Sequence, residues 1–417
     1  MTPPCAVVVV SFGSRFGRFE NGGVGQAVAL AQRSVEVRAP SNMFARDQYQ
    51  DFRNVDFLLL LATLAMGAIG TVMVYYATRA QLVLNGISPH YYLDRQAIFV
   101  CLGIGVMFVT MLFDYHHYEA LAPIVYVGVV LMLLAVKTPL GSSALGSQRW
   151  FQFGPVQVQP SEIAIVGVIL AIAAYCARDP GQEGLTFKRL VTVLVIGAVP
   201  ALLVMVQPDL GSAIVMGVVI FVMIVVGGVR MRHLLLLVVV GVASVYLALH
   251  VGVLKHYQMQ RLLSFLHPTH NTQGSAYNLA ESKAAIGHGG ITGTGLGRGA
   301  QTNLGFVPSE QTDFIFTAVG EQLGFVGATV VIGLFAVIIW RVLRAAQRAR
   351  DTFGRLLCAG VVALLAFSVF ENTGMTVGIM PIAGIPLPLM SYGGSAMLAF
   401  FVAIGLALNV GMRRGRP

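Results

Sequence analysis

The sequence predicts an all-α polytopic membrane protein of about ten transmembrane helices, on three observations. Of 417 residues, 56% are hydrophobic and only 11% charged, against roughly one-quarter charged in an average soluble domain. Apolar runs of about twenty residues, enough to cross a hydrocarbon core as a helix, recur along the chain. They are too long and too uniformly apolar for barrel strands, so the backbone must satisfy itself within helices. Lys and Arg, finally, gather in alternate connections.

The runs lie near 57–77, 97–113, 119–136, 161–178, 190–206, 210–228, 232–253, 313–341, 356–376 and 392–411. Arg178, Lys188 and Arg189, then Arg230 and Arg232, then Arg341, Arg344, Arg348, Arg350 and Arg355, then Arg413, Arg414 and Arg416 mark one face. The positive-inside rule makes that face, and both termini, cytoplasmic. The net charge of +9 is this bias, suited to anionic lipid headgroups, and gives no reason to invoke nucleic acid. Two long loops, 137–160 and 254–312, fall on the opposite face. Their length exceeds ordinary connections, so function is expected there.

Residues 1–50 form a separate N-terminal cytoplasmic segment, and 51–417 the transmembrane domain. "CAVVVVSFG" is too short to span, and no basic n-region or small-residue cleavage site frames it as a signal peptide. The composition of the tail suits a disordered extension or a start codon assigned too far upstream. Cys5, Cys101, Cys176 and Cys358 have no CxxC spacing and read as small apolar fillers.

Along the outer face, "GSQRWFQFGPVQVQPSEIAI" (146–165) places Arg149 and Trp150 at the interface. Gln159 and Pro160 precede Ser161 and Glu162 at the start of the fourth span. An acidic first turn favoured by the helix dipole explains Glu162 as well as chemistry does. In "QPDLGS" (207–212), Pro208 breaks the fifth helix and Asp209 caps the sixth; a tight capped turn is the simpler account.

In the second long loop, "HYQMQRLLSFLHP" (256–268) reads as an interfacial amphipathic helix carrying Arg261. "GSAYNLAESKAAIGHGG" (274–290) reads as a short helix bearing Lys283 and ended by glycines. "GGITGTGLGRGAQ" (289–301), with Arg298, follows no strand and makes a poor phosphate cradle; its glycines let a loop fold tightly or move. "VPSEQTDFIFTAVGEQLG" then puts Glu310, Asp313 and Glu321 at the threshold of the eighth span. An ionisable group there is costly unless it works or is paired. A general base, an ion ligand and a helix N-cap all fit Asp313. In "PIAGIPLPLMSYGGS" (381–395), Pro381, Pro386 and Pro388 forbid a regular helix, leaving an outer loop or a re-entrant one.

Taken together, "GSQRWFQFGPVQVQPSE", "QPDLGSA", "YNLAESKAAIGHGGITGTGLG", "QTDFIFTAVGEQLGFVG" and "GIPLPLMSYGGSAM" resemble the SEDS family of bacterial cell-wall synthesis, in order and from about residue 50 to the end. "ESKAAIG", "YQMQRLLSFLHP" and "NTGMTVGIMPIAGIPLPLMSYGGSAM" are more similar to the RodA branch than to FtsW. The resemblance implies a multi-pass protein of the cytoplasmic membrane that polymerises lipid II into β-1,4 glycan strands at the outer face. Undecaprenyl pyrophosphate is released, in support of elongation and rod shape.

The family's essential aspartate falls on Asp313, whose implied role is general base. Arg149, Trp150, Glu162, Arg261, Lys283 and Arg298 are candidate substrate contacts. Gln159, Pro160, Ser161, Asp209, Glu321, Ser391, Tyr392 and Gly393 belong to the family's motifs. A divalent cation, Mg or Mn, on Asp313 or Glu162 is an alternative or addition to the cations at the leaving pyrophosphate. Expected partners are lipid II, the undecaprenyl-pyrophosphate-linked glycan, a cognate class B penicillin-binding protein, MreC, MreD and RodZ. A lipid-linked precursor flippase, a non-catalytic scaffold and an FtsW-type division polymerase are the rivals; polar residues clustered at one face and no visible repeat disfavour a transporter. One departure stands out: where the family carries a lysine three residues after its Ser-Glu, on the same helix face, this chain has Ile165, leaving Glu162 without its local partner.

Overall fold

Each of the ten apolar runs becomes a helix. The computed structural model describes residues 54–144, 147–154, 156–178, 185–251, 259, 261 and 274–413; the N-terminal segment 1–50, Cys5, and the stretch 256–268 apart from Met259 and Arg261 lie outside them. The spanning helices are α1 (Phe57–Leu84), α2 (Tyr91–Leu112), α3 (Tyr115–Ala135), α4 (Pro160–Ala177), α5 (Phe187–Val206), α6 (Leu210–Val226) and α7 (Met231–Val251). After the second long loop, with α8 (Ser275–Gly289) and α9 (Ala300–Leu304), come α10 (Ile315–Gln347), α11 (Thr352–Val377) and α12 (Gly394–Met412). Eight are long and apolar enough to cross a membrane, with α6 and the first part of α7 as shorter apolar helices.

Several helices begin or end beyond the apolar runs because polar residues at their ends remain helical: "YYLDRQ" opens α2 and "RVLRAAQ" closes α10. Aspartates set four starts, that of α6 by Asp209 among them. Asp56 accepts Leu59 N–H at 3.1 Å, Asp114 accepts His116 N–H at 2.9 Å, and Asp351 accepts Gly354 N–H at 2.7 Å, each satisfying an otherwise orphaned donor.

The first long loop holds a feature absent from the sequence reading. Strands β1 (Ser142–Ala144), β2 (Ser147–Phe153) and β3 (Val156–Val158) form an antiparallel sheet in the order β1-β2-β3. Phe151 pairs with Val158 and Gln152 with Gln157, so β3 leads directly into α4.

Helices α4, α11 and α12 are the inner ones, buried along most of their length, while α2, α3 and α5 keep apolar faces outward. Leu121, Ile124, Leu131, Val195 and Leu202 are exposed, as lipid-facing side chains would be. α12 packs on α2, α4 on α3, α11 on α6 and α10, and α10 on α1. The proline-rich segment between α11 and α12 folds inward. Ile385, Leu387, Leu389 and Met390 are buried, and the segment presses on the middle of α1, where a Cβ on Gly70 would lie 2.6 Å from Met390 Cα. Of the two readings of 381–395, the re-entrant one fits this depth.

Candidate active site

Two motifs far apart in sequence meet at Asp209. The carboxylate caps α6 through Ser212 N–H (3.3 Å) and accepts the Ser212 and Ser161 hydroxyls and the Gln159 amide, each at 2.9 Å. Arg149, carried by β2, donates to the carbonyls of Gln207 (3.0 Å) and Pro208; its Nη1 lies 4.0 Å from Asp209 Oδ1. The capped turn read from "QPDLGS" is therefore also the anchor of "QPSE". With four donors on it, Asp209 is a satisfied buried charge. Ser395, missed in the sequence, joins α12 to this floor by accepting Gln159 N–H at 2.8 Å.

Asp313 lies in a turn ahead of α10, not at its cap: the cap position is Phe314, with no side-chain hydrogen bond. The N–H groups of Thr312 and Asp313 both reach Ser309 O at 3.1 Å. Asn372 Nδ2 holds the turn from α11, donating to Asp313 O (2.8 Å) and Ile385 O (2.7 Å). Tyr392 N–H donates to Gln311 O at 2.8 Å while its ring meets Tyr92 edge to face. Ser391 braces the same segment, its hydroxyl accepting Leu387 N–H at 2.8 Å, and Gly393 is extended backbone ahead of α12.

The Asp313 carboxylate faces Gly384, where an added Cβ would stand 3.2 Å from Oδ2 and 3.5 Å from Arg261 Nη1. Arg261 Nη1 also donates to Ala383 O at 3.2 Å. Dense protein surrounds Asp313, yet part of its surface stays open. Burial pushes its carboxyl above the usual range, and Arg261 and a hydrogen bond from Thr312 oppose this without cancelling it. Beside it Glu371, also missed in the sequence, is buried; Oε1 accepts Ala383 N–H at 3.3 Å, and among the described residues Oε2 has no partner. The signal was there: Glu371 and Asn372 form a polar pair inside the apolar run 356–376, costly in a membrane unless used.

The remaining candidates divide. Glu162 is buried behind the site, facing a cavity of about 10 Å³ lined also by Ile165, Ser212, Ser368 and Phe400. Trp150 is half-buried on β2. Lys283 is exposed and lies against Gly378 at the end of α11; Arg298 is exposed on the glycine-rich loop. Glu321 is buried and accepts the N–H groups of Gln301 (2.8 Å) and Thr302 (2.9 Å), so it docks α9 on α10. The structure thus gathers Asp313, Arg261, Glu371 and the Asp209–Arg149 floor at one end, and leaves Arg298 apart from them. A carboxylate that is partly open, held by its backbone and set beside a guanidinium can take a proton next to a developing anion.

A family model described as "Cell cycle protein", that of FtsW, RodA and SpoVE, matches residues 56–415. A probable peptidoglycan glycosyltransferase FtsW of Geobacter metallireducens is 35% identical over 373 residues, covering 88% of this chain and 98% of its own. The peptidoglycan glycosyltransferase MrdB of Escherichia coli is 34% identical over 371 residues, covering 88% and 96%. Among solved structures, a chain of a peptidoglycan synthase complex described for its coordination of polymerization and crosslinking superposes with a TM-score of 0.72 at 28% identity, over 86% of this chain and 97% of its own. Relatives of both kinds stand at nearly equal identity, so overall similarity does not separate the RodA branch from FtsW.

Proposed function

Because the chain belongs to the FtsW/RodA/SpoVE (SEDS) family of peptidoglycan glycosyltransferases, we propose that it polymerises lipid II at the outer face of the bacterial cytoplasmic membrane with Asp313 as general base. The observation that carries this is the Asp313 carboxylate itself, partly open, beside Arg261, on backbone fixed by Asn372. The 4-hydroxyl of the incoming N-acetylglucosamine attacks C1 of the glycan held on undecaprenyl pyrophosphate. Its proton passes to Asp313 as the β-1,4 bond forms, and the C1–O bond breaks with its electron pair leaving on pyrophosphate. A sugar hydroxyl is a poor nucleophile at neutral pH, and a raised carboxylate pKa makes a better base. Lipid tails keep both substrates in one bilayer plane, which supplies proximity.

Arg261 is the cation best placed for the leaving pyrophosphate. Arg149 supports the floor, and Trp150, Lys283 and Arg298 are contacts for the rest of the substrate. Asp313 with Glu371 could offer oxygens to a Mg or Mn ion, whereas Glu162 faces a separate cavity. Among the described residues no three His, Cys, Asp or Glu side chains converge. Two carboxylates would hold such an ion only together with substrate phosphates.

The "ESKAAIG" and "NTGMTVGIMPIAGIPLPLMSYGGSAM" segments favour elongation over division. A class B penicillin-binding protein is the partner we expect, supported by the likeness to the synthase-complex chain, with MreC, MreD and RodZ beside it. The test is polymerisation of fluorescent lipid II by the chain with that partner, the partner's own glycosyltransferase absent or inactivated. Asp313→Ala at equal folded amount should lose at least about 100-fold; comparable product from both would remove Asp313 as the base. In cells, depletion should cost rod shape, and filaments with blocked septa would assign the chain to division.

A further inference from the structure

Between the glycine-rich loop and the turn that carries Asp313 lies a buried contact that the reaction does not use. The Thr302 hydroxyl stands 2.5 Å from Glu321 Oε2 and 3.0 Å from Glu310 Oε1. All three residues are buried. A hydroxyl has one hydrogen to give. With both glutamates ionised, one of these oxygen–oxygen contacts would have no proton in it, and two anions would share one buried site.

The surroundings decide which glutamate carries the missing proton. Glu321 already accepts two peptide N–H groups, from Gln301 and Thr302, so its carboxylate has donors besides the threonine. Among the described residues Glu310 has only the threonine, and its Oε2 is buried without a partner. We propose that Glu310 is a positioning residue held as the neutral acid: it donates to Thr302 Oγ1, which donates to Glu321, and this latch fastens the Ser309–Asp313 turn to α9. Asp313 is three residues further on, and its N–H is bonded to Ser309 O, so the latch sets the position of the base. The inference rests on Asp313 as that base.

Around the latch, α10 contributes Glu321 and Gln322, α9 contributes Thr302, and α1 contributes Tyr76 and Gln81, which pack on Gly297 and Gly305. The cation Lys283, on α8, lies instead against Gly378. Burial first, and then the charge of Glu321, push the Glu310 carboxyl up to about 8, against the hydrogen bond with Thr302. Below that pH the latch is closed, and above it the proton leaves.

The experiment is a pH profile of lipid II polymerisation by the full chain with its penicillin-binding partner, for wild type, Glu310→Gln and Glu310→Ala. An amide donates to Thr302 Oγ1 at every pH. Wild-type activity should fall above the latch pKa and level off about tenfold lower, near the rate of Glu310→Ala, Glu310→Gln should match wild type at pH 7 and hold its rate further into the alkaline range, and Glu310→Ala should lose about tenfold already at pH 7. Glu310→Gln as poor as Glu310→Ala, or an alkaline limb shared by wild type and Glu310→Gln, overturns the latch. Hydrogen-exchange protection of the Gln301 and Thr302 amides, compared at pH 7 and 9, reads the latch without activity. Protection lost at pH 9 in wild type and kept in Glu310→Gln supports it even if Asp313→Ala stays active and the base assignment fails; protection equal at both pH values in wild type rejects it.

Discussion

At the scale of single residues, Glu162 and Ile165 give the sharpest case. They share a cavity of about 10 Å³ whose other walls include Val215, Leu364 and Ile385, with hydroxyls from Ser212 and Ser368. That is room for one water. A lysine at 165 would bring its ammonium to Glu162 and those hydroxyls, so Ile165→Lys should fold and keep activity. Adding Glu162→Gln would strand a buried ammonium and cost about 3–5 kcal/mol, read as a fall in thermal unfolding temperature in detergent. A dead Ile165→Lys enzyme would mean that the pocket has been rebuilt around isoleucine. The sequence made Asp313, Glu162, Asp209 and Arg149 visible because charge next to an apolar run is expensive. The same expense marks Glu371 and Asn372 inside the run 356–376, but the role of Glu310 was hidden because its partners, Thr302 and Glu321, lie on either side of it in elements that meet only on folding.

At the scale of elements, the glycine-rich loop is a docked structure. Thr294 and Gly295 N–H groups bond Glu321 O and Gln322 O, and Phe325 and Val326 N–H groups bond Gly290 O and Ile291 O. These bonds enter α10 where Gly324, at φ 65° and ψ −163°, breaks its helical path. Gly293, at φ 81°, approaches so closely that a Cβ would fall 2.2 Å from Gln322 O. Gly293→Ala should therefore undock the loop, since both the left-handed backbone and the contact forbid a side chain, at a cost of about 1–3 kcal/mol from backbone strain alone. Trypsin would then cut at Arg298 faster than in wild type; an unchanged cleavage rate would show that the docking tolerates a methyl group. The ten spans were legible because hydropathy and length speak locally. The docking was not, because its partners lie about 25–35 residues apart, and β1 and β3, at three residues each, were too short to declare themselves.

At the scale of the molecule, the two ends are held by different means. The site end uses hydrogen bonds to carbonyls and hydroxyls around Asp209, and the Lys/Arg-rich end uses charge. There Arg413 pairs with Asp114 at 3.2 Å, Tyr115 donates to Asp351 at 2.6 Å, and His116 bridges Asp114 and Asp351. Burial works against the Asp114 charge, but the His116 N–H and ring, with Arg413, hold its carboxyl below the usual value. Arg341 grips Asp56 through Nε (2.7 Å) and Nη2 (2.6 Å), joining the start of α1 to the end of α10. Both side chains are mostly buried, at 17% and 10% exposure, so this pair is the one whose rupture should be felt throughout the bundle. Arg341→Gln leaves Asp56 charged and unpaired and should cost about 3–5 kcal/mol. Asp56→Asn retains the α1 cap while removing the charge, so the double variant Asp56→Asn with Arg341→Gln should recover much of that loss. Thermal unfolding of the four proteins in one detergent closes the cycle: a double variant no better than Arg341→Gln alone would mean that the pair contributes no coupling and that α1 is held by its apolar packing on α10.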